Sequence, residues 1–110
     1  MKWTVSYLPE AVKDFTELDG SQRKIIRKAI EKVRQNPVPD FEGGFGKPLA
    51  NRQSIELAGF LKIKLKASGL RVVYKLERRA DEMLIIIIGA RVDEEVYELA
   101  EKRIDQHNLR

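Results

Sequence analysis

Apolar residues recur along this 110-residue chain first at strand spacing, then at helical spacing, then at strand spacing again, and finally at helical spacing once more. Residues 3–7, Trp-Thr-Val-Ser-Tyr, are β-branched and aromatic and predict a strand. Pro9 suits the first turn of a helix, where its missing N–H costs nothing. Leu8, Ala11, Val12, Phe15 and Leu18 then follow helical spacing. Asp19-Gly20 ends that helix, and Ser21 is expected to cap a second one. The second helix carries Ile25, Ile26, Ala29, Ile30 and Val33 on one face, and Asn36-Pro37 stops it. The two segments predict a helical hairpin.

Residues 37–59 are rich in Pro and Gly and are expected to be mostly loop, with a short strand at 54–57. Strict alternation follows. Leu61, Ile63 and Leu65 face one way, and Lys62 and Lys64 the other. In the next strand Leu70, Val72, Tyr74 and Leu76 are expected to face the core, with Arg71 and Val73 outward. If 66–69 form the loop of a hairpin, Leu65 pairs with Leu70 and Lys64 sits opposite Arg71. Directly opposed like charges destabilise a sheet, so this face is expected to serve an anion.

A charged turn at 78–82 precedes the run Met-Leu-Ile-Ile-Ile-Ile at 83–88, which is apolar on both faces. It predicts an interior strand covered on both sides. Residues 89–92 connect it to a last helix from about Asp93, with Asp93 as cap and Glu94 and Glu95 in the first turn. Val96, Leu99, Ala100 and Ile104 form the buried stripe. The order predicts an α+β fold: an N-terminal strand and a helical hairpin packed on a small antiparallel sheet, with a C-terminal helix. No repeat or linker divides residues 1–110, which are expected to form a single domain.

Composition narrows the chemistry. Hydrophobic content of 43% and charged content of 35% suit a soluble globular protein, and the net charge of +4 is a weak pointer to nucleic-acid or acidic-protein partners. The chain has no cysteine, which excludes disulfides, thiolate catalysis and Cys-based zinc sites. Its single histidine, His107, excludes a two-histidine acid–base pair and a His-rich metal site. His107 itself is expected on the surface near a frayed end. Residues 1–10 lack the apolar segment of a signal peptide, and the run at 83–88 is too short to span a membrane, so a cytoplasmic location is expected. Gly43-Gly44-Phe45-Gly46-Lys47 suggests a phosphate loop, but Pro48 stands where Ser or Thr is required and the spacing is wrong. Arg23, Lys24, Arg27, Lys28 and Lys32 form a basic side of the second helix. It is either a solvated face or a surface that docks on RNA by displacing counterions.

The element order, the Lys-Ile-Lys-Leu strand, the Ser-Gly-Leu-Arg-Val-Val-Tyr strand, and Gly-Ala-Arg before a helix containing Glu-Val-Tyr together resemble the RelE group of bacterial type II toxins. The close match covers roughly residues 60–104, and the rest agrees in element order. The resemblance implies an mRNA endonuclease that enters the ribosomal A site and cleaves the codon there, inhibiting translation. It implies a cognate antitoxin, a ribosome with bound mRNA, and operator DNA reached only through the antitoxin. It implies no cofactor, metal or membrane. The family's catalytic positions fall on Lys62, Lys64, Arg71, Arg91 and Tyr97. Ala90 replaces a basic residue that often precedes the loop arginine. The ParE toxins share the fold but inhibit DNA gyrase without catalysis. They generally lack the full set of strand lysines, loop arginine and tyrosine, so the set here favours cleavage.

RNA is cut when its 2′-hydroxyl attacks the adjacent phosphate. The enzyme must take that proton, neutralise charge on phosphorus and help the 5′-oxygen leave. A lysine serves as base only where neighbouring cations disfavour its charged form. Lys64, opposite Arg71, is the expected general base, with Lys62 on the phosphate. Arg71 and Arg91 would stabilise the transition state, and Tyr97 would orient the scissile phosphate or stack on a base. The bland alternatives are a solvated lysine face that guards a sheet edge, an Arg71 ion pair with a carboxylate, and a Tyr97 packed on Val92 as a helix staple.

Overall fold

The computed structural model describes residues 2–49, 59–90 and 93–109. In chain order the elements are β1 (Thr4–Tyr7), α1 (Pro9–Thr16), α2 (Gly20–Val33), β2 (Lys47–Pro48), β3 (Phe60–Leu65), β4 (Leu70–Glu77), β5 (Glu82–Gly89) and α3 (Asp93–Gln106). The strand expected at 54–57 lies outside the described residues, as do Arg91 and Val92. β2 is an addition that the Pro/Gly-rich stretch did not advertise.

The sheet order is β1-β5-β4-β3-β2. β2, β3, β4 and β5 are antiparallel neighbours, and β1 joins as a parallel edge on β5. The N-terminal strand is therefore part of a mixed sheet. Tyr7 pairs with Ile85, and Pro9 then starts α1 directly after Leu8. The turn at 66–69 closes the β3–β4 hairpin with Gly69 at φ 74°, a conformation that costs glycine nothing.

Helices cover both faces. On one side Tyr74 donates its buried hydroxyl to the Pro37 carbonyl at 2.7 Å, just after α2, and burial raises its pKa far beyond the ordinary tyrosine value. Ile26, Ile30 and Val33 of α2 are buried in the common core. On the other side Tyr97, Val96, Ala100 and Ile104 of α3 are buried. β5 lies between β1 and β4, and Met83, Ile85, Ile86, Ile87 and Ile88 are all buried, as its two-faced apolar run predicts.

Three details differ from the sequence reading. Val73 points to the same side as Arg71 but is completely buried, flanked by Lys62 and Ile87 on the face where Tyr97 of α3 holds Lys62. Ile25 and Val12 lie at the margins of their helical stripes and are 38% and 49% exposed. The cap of α2 is Asp19 and not Ser21. Its carboxylate accepts from the Gln22 N–H at 2.8 Å, the Gln22 side chain accepts from the Asp19 N–H, and the Ser21 hydroxyl only donates to that carboxylate. Such a cap contributes about 1 kcal/mol. α3 starts at Asp93 as expected, and the capping role expected of the Asp93 side chain lies outside the described residues.

The two ends of the chain are tied together. β1 stops at Tyr7, leaving the upper half of β5 without a neighbour on that edge. Asp14 of α1 takes over, accepting from the Ile88 N–H at 3.0 Å. Arg103 of α3 donates to the Ile86 carbonyl at 3.0 Å and to both oxygens of Asp14, at 2.6 and 3.1 Å. Nearby, His107 lies on the surface as expected, just past the end of α3, and its ring contacts the Glu10 carboxylate at 2.9 Å.

Candidate active site on the sheet face

Lys62 and Lys64 share one face of β3. The register sets Lys62 opposite Val73 and Lys64 opposite Arg71, the pairing that alternation required. Across the next ladder Arg71 faces Gly89, which has no side chain to compete for the space. On the outer side Lys47 of β2 lies opposite Lys62, extending the basic row to the edge of the sheet. Four cations thus occupy consecutive positions on one face, Lys47 and Lys62 as one pair and Lys64 and Arg71 as the next.

The two strand lysines differ in surroundings. Lys62 is half-buried and donates from Nζ to the Tyr97 hydroxyl at 2.9 Å, whereas Lys64 is exposed. Tyr97 is 2% exposed. Its ring is part of the core, and Lys62 Nζ both donates to its hydroxyl and lies 5.6 Å from the ring centroid, so Tyr97 holds Lys62 in place and offers no open face for stacking. The staple alternative involves Val92, which is outside the described residues. Arg71 donates from Nη1 to the Gly69 carbonyl at 3.0 Å, bending back over the hairpin turn. The structure thus brings Lys62, Lys64, Arg71 and Tyr97 together. The expected loop arginine, Arg91, lies outside the described residues, just after the exposed Ala90.

The basic side of α2 is less uniform than its sequence. Arg23 donates to the Leu18 carbonyl at 2.8 Å and closes the α1–α2 turn. Arg27 lies over the Phe15 ring at 5.3 Å, and Lys32 over the Phe45 ring at 5.4 Å. Lys24 and Lys28 are exposed. Among the described residues no group of three or more His, Asp or Glu is placed to hold a metal, and no helix is long and apolar enough to cross a membrane.

These geometries have close counterparts. A RelE-like toxin protein of Escherichia coli is 33% identical over 111 residues, covering 94% of this chain and 99% of its own. The mRNA interferase toxin RelE of Escherichia coli K12 is 28% identical over 104 residues with the same coverage of both chains. Among solved structures, a free-state variant of the E. coli toxin RelE superimposes with a TM-score of 0.70 at 25% identity, covering 94% of this chain and 99% of that one. The RelBE2 toxin–antitoxin complex of Mycobacterium tuberculosis shares the fold, with a TM-score of 0.65 at 22% identity, covering 84% of this chain and 95% of that one. No family profile matches the chain. With a relative one-third identical over nearly the full length of both chains, and the same mixed sheet flanked by the same helices, this chain belongs to the RelE family of toxins.

Proposed function

We propose that this protein is an mRNA endonuclease that cuts the codon in the ribosomal A site and so stops translation. The observation that carries the reading is the row Lys62, Lys64 and Arg71 on one sheet face, with Lys62 fixed by the Tyr97 hydroxyl. The name of the E. coli K12 relative, an mRNA interferase, agrees with it.

Lys64 removes the 2′-hydroxyl proton, since it is the exposed member of the row and faces the Arg71 guanidinium across the ladder. Lys62, held by Tyr97, receives the scissile phosphate. Arg71 and Arg91 stabilise the charge that develops on phosphorus, and Arg91 assists the leaving 5′-oxygen. The products are a 2′,3′-cyclic phosphate and a 5′-hydroxyl. The reaction assigns no step to a metal. The ribosome supplies the positioning, because holding the nucleophile in line with the phosphate removes much of the barrier. Family membership and the net charge of +4 support an acidic cognate antitoxin that covers the basic face, with operator DNA reached through it.

The test is primer extension on a message bound to 70S ribosomes. The intact protein is expected to cut within the A-site codon. Lys64→Ala and Arg91→Ala are each expected to lose at least a hundredfold in cutting. Lys64→Ala should not lower the melting temperature, because it relieves repulsion with Arg71. No cut by a folded protein that still arrests growth would overturn the reading and make DNA gyrase the next target to assay.

A further inference from the structure

We infer that Phe45 and Lys47, with Lys32, form a binding subsite for a nucleotide of single-stranded RNA beside the catalytic row. Stacking would be on the Phe45 ring and the backbone phosphate would lie between the lysines. The inference rests on the nuclease reading for the identity of the ligand.

The glycine-rich stretch dismissed as a phosphate loop is a rigid platform. Phe45 N–H donates to the Asn36 carbonyl at 2.9 Å, Gly46 N–H to Val38 at 3.1 Å, and Gly44 N–H to Pro39 at 3.1 Å. The Asn36 side chain reaches the Gly43 carbonyl at 3.2 Å. A Cβ at Gly44 would strike the Val38 carbonyl, and one at Gly46 would strike the Tyr74 hydroxyl, so both glycines are required by close approach. So firmly anchored a loop nevertheless leaves Phe45 46% exposed. An aromatic ring held outward on a fixed backbone loses little freedom when a base stacks on it.

The surroundings select a polyanion. Phe45 lines a groove of about 210 Å³ in which Lys32, Lys47, Lys62 and Lys64 also take part, and none of the described lining residues is acidic. Lys32 lies over the ring, and Lys47 pairs across the ladder with Lys62. The groove thus runs along the edge of β3, where Lys62 and Lys64 of the proposed catalytic row contribute to its lining. Interleaved aromatic and basic groups are the combination that single strands bind, because every base has a π-face and every linkage a charge. An exposed phenylalanine elsewhere provides the control. Phe41 is 77% exposed but belongs to a different depression, beside Glu42 and Arg78.

The experiment is fluorescence anisotropy with a fluorescein-labelled, fully 2′-O-methylated hexanucleotide, which cannot be cut. Phe45→Ala should weaken binding about tenfold, Phe45→Trp should retain it, and Phe41→Ala should leave it unchanged. Lys47→Ala should reduce the slope of log affinity against log salt by about 0.7. Unchanged affinity of Phe45→Ala, equal losses at Phe41 and Phe45, or no binding by the intact protein at low salt would each overturn the inference. Because no cleavage is needed, the outcome is separable from the ribosomal assay. A protein that cuts on the ribosome while Phe45→Ala binds normally keeps the nuclease reading and loses this one.

Discussion

The Tyr97 hydroxyl accepts the hydrogen bond that fixes the Lys62 ammonium over the Tyr97 ring. The ring is buried, so Tyr97→Phe preserves packing while removing the acceptor at 2.9 Å from Lys62 Nζ. Ribosomal cleavage is expected to fall about tenfold while stability, read from urea unfolding, changes by about 1 kcal/mol. An unchanged cleavage rate would remove Tyr97 from the site. The sequence made Lys62, Lys64 and Arg71 visible as a group because a two-residue period is a local property. Packing of Tyr97 was legible only as a local helix staple; its bond to Lys62 was not, since the two residues are 35 positions apart and meet only when α3 lies on the sheet. Phe45 and Lys47 were also missed as a pair. Gly-Gly-Phe-Gly-Lys sets an aromatic and a basic residue close together, but only the fold brings Lys32 over the ring.

Among the elements, β5 shows where local reading succeeds and where it stops. Its unbroken apolar run predicted cover on both faces, and both faces are covered. What finishes its open edge could not be read, because Asp14 and Arg103 are 89 residues apart and each looks like an ordinary surface charge on its own helix. The pair is only 13% and 14% exposed, and Asp14 also serves the Ile88 amide. Asp14→Ala leaves a buried guanidinium and an unsatisfied N–H together and should cost about 3 kcal/mol in urea unfolding. A loss below about 1 kcal/mol would mean that water replaces the carboxylate. The misreading of Val73 has the same origin: alternation names the side a residue points to, and only the packing of the folded chain decides whether that side is wet.

Across the whole molecule, several surface carboxylates are stabilised in their charged form. His107 lowers the pKa of Glu10, the Gln22 N–H that of Asp19, Lys2 that of Glu31, and Arg78 that of Glu42. Each is depressed on folding, so each contributes stability that is complete above its unfolded pKa, near 4, and lost as pH falls through the lower folded value. The melting temperature should therefore be flat with respect to these groups at neutral pH and decline below about pH 4. Asp19→Asn keeps a good cap but cannot titrate, and should shrink that decline. An identical acid profile would exclude Asp19 from it.

The contacts that bind the two ends of the chain also impose a schedule on its synthesis. β1 is made first but has no partner until β5 emerges, and Asp14 waits for Arg103. A growing chain that has reached β4 already carries Lys62, Lys64 and Arg71, yet it lacks α3 and the Tyr97 hydroxyl that holds Lys62. The ribosome translating this chain has thus nearly finished before the proposed nuclease site can be complete.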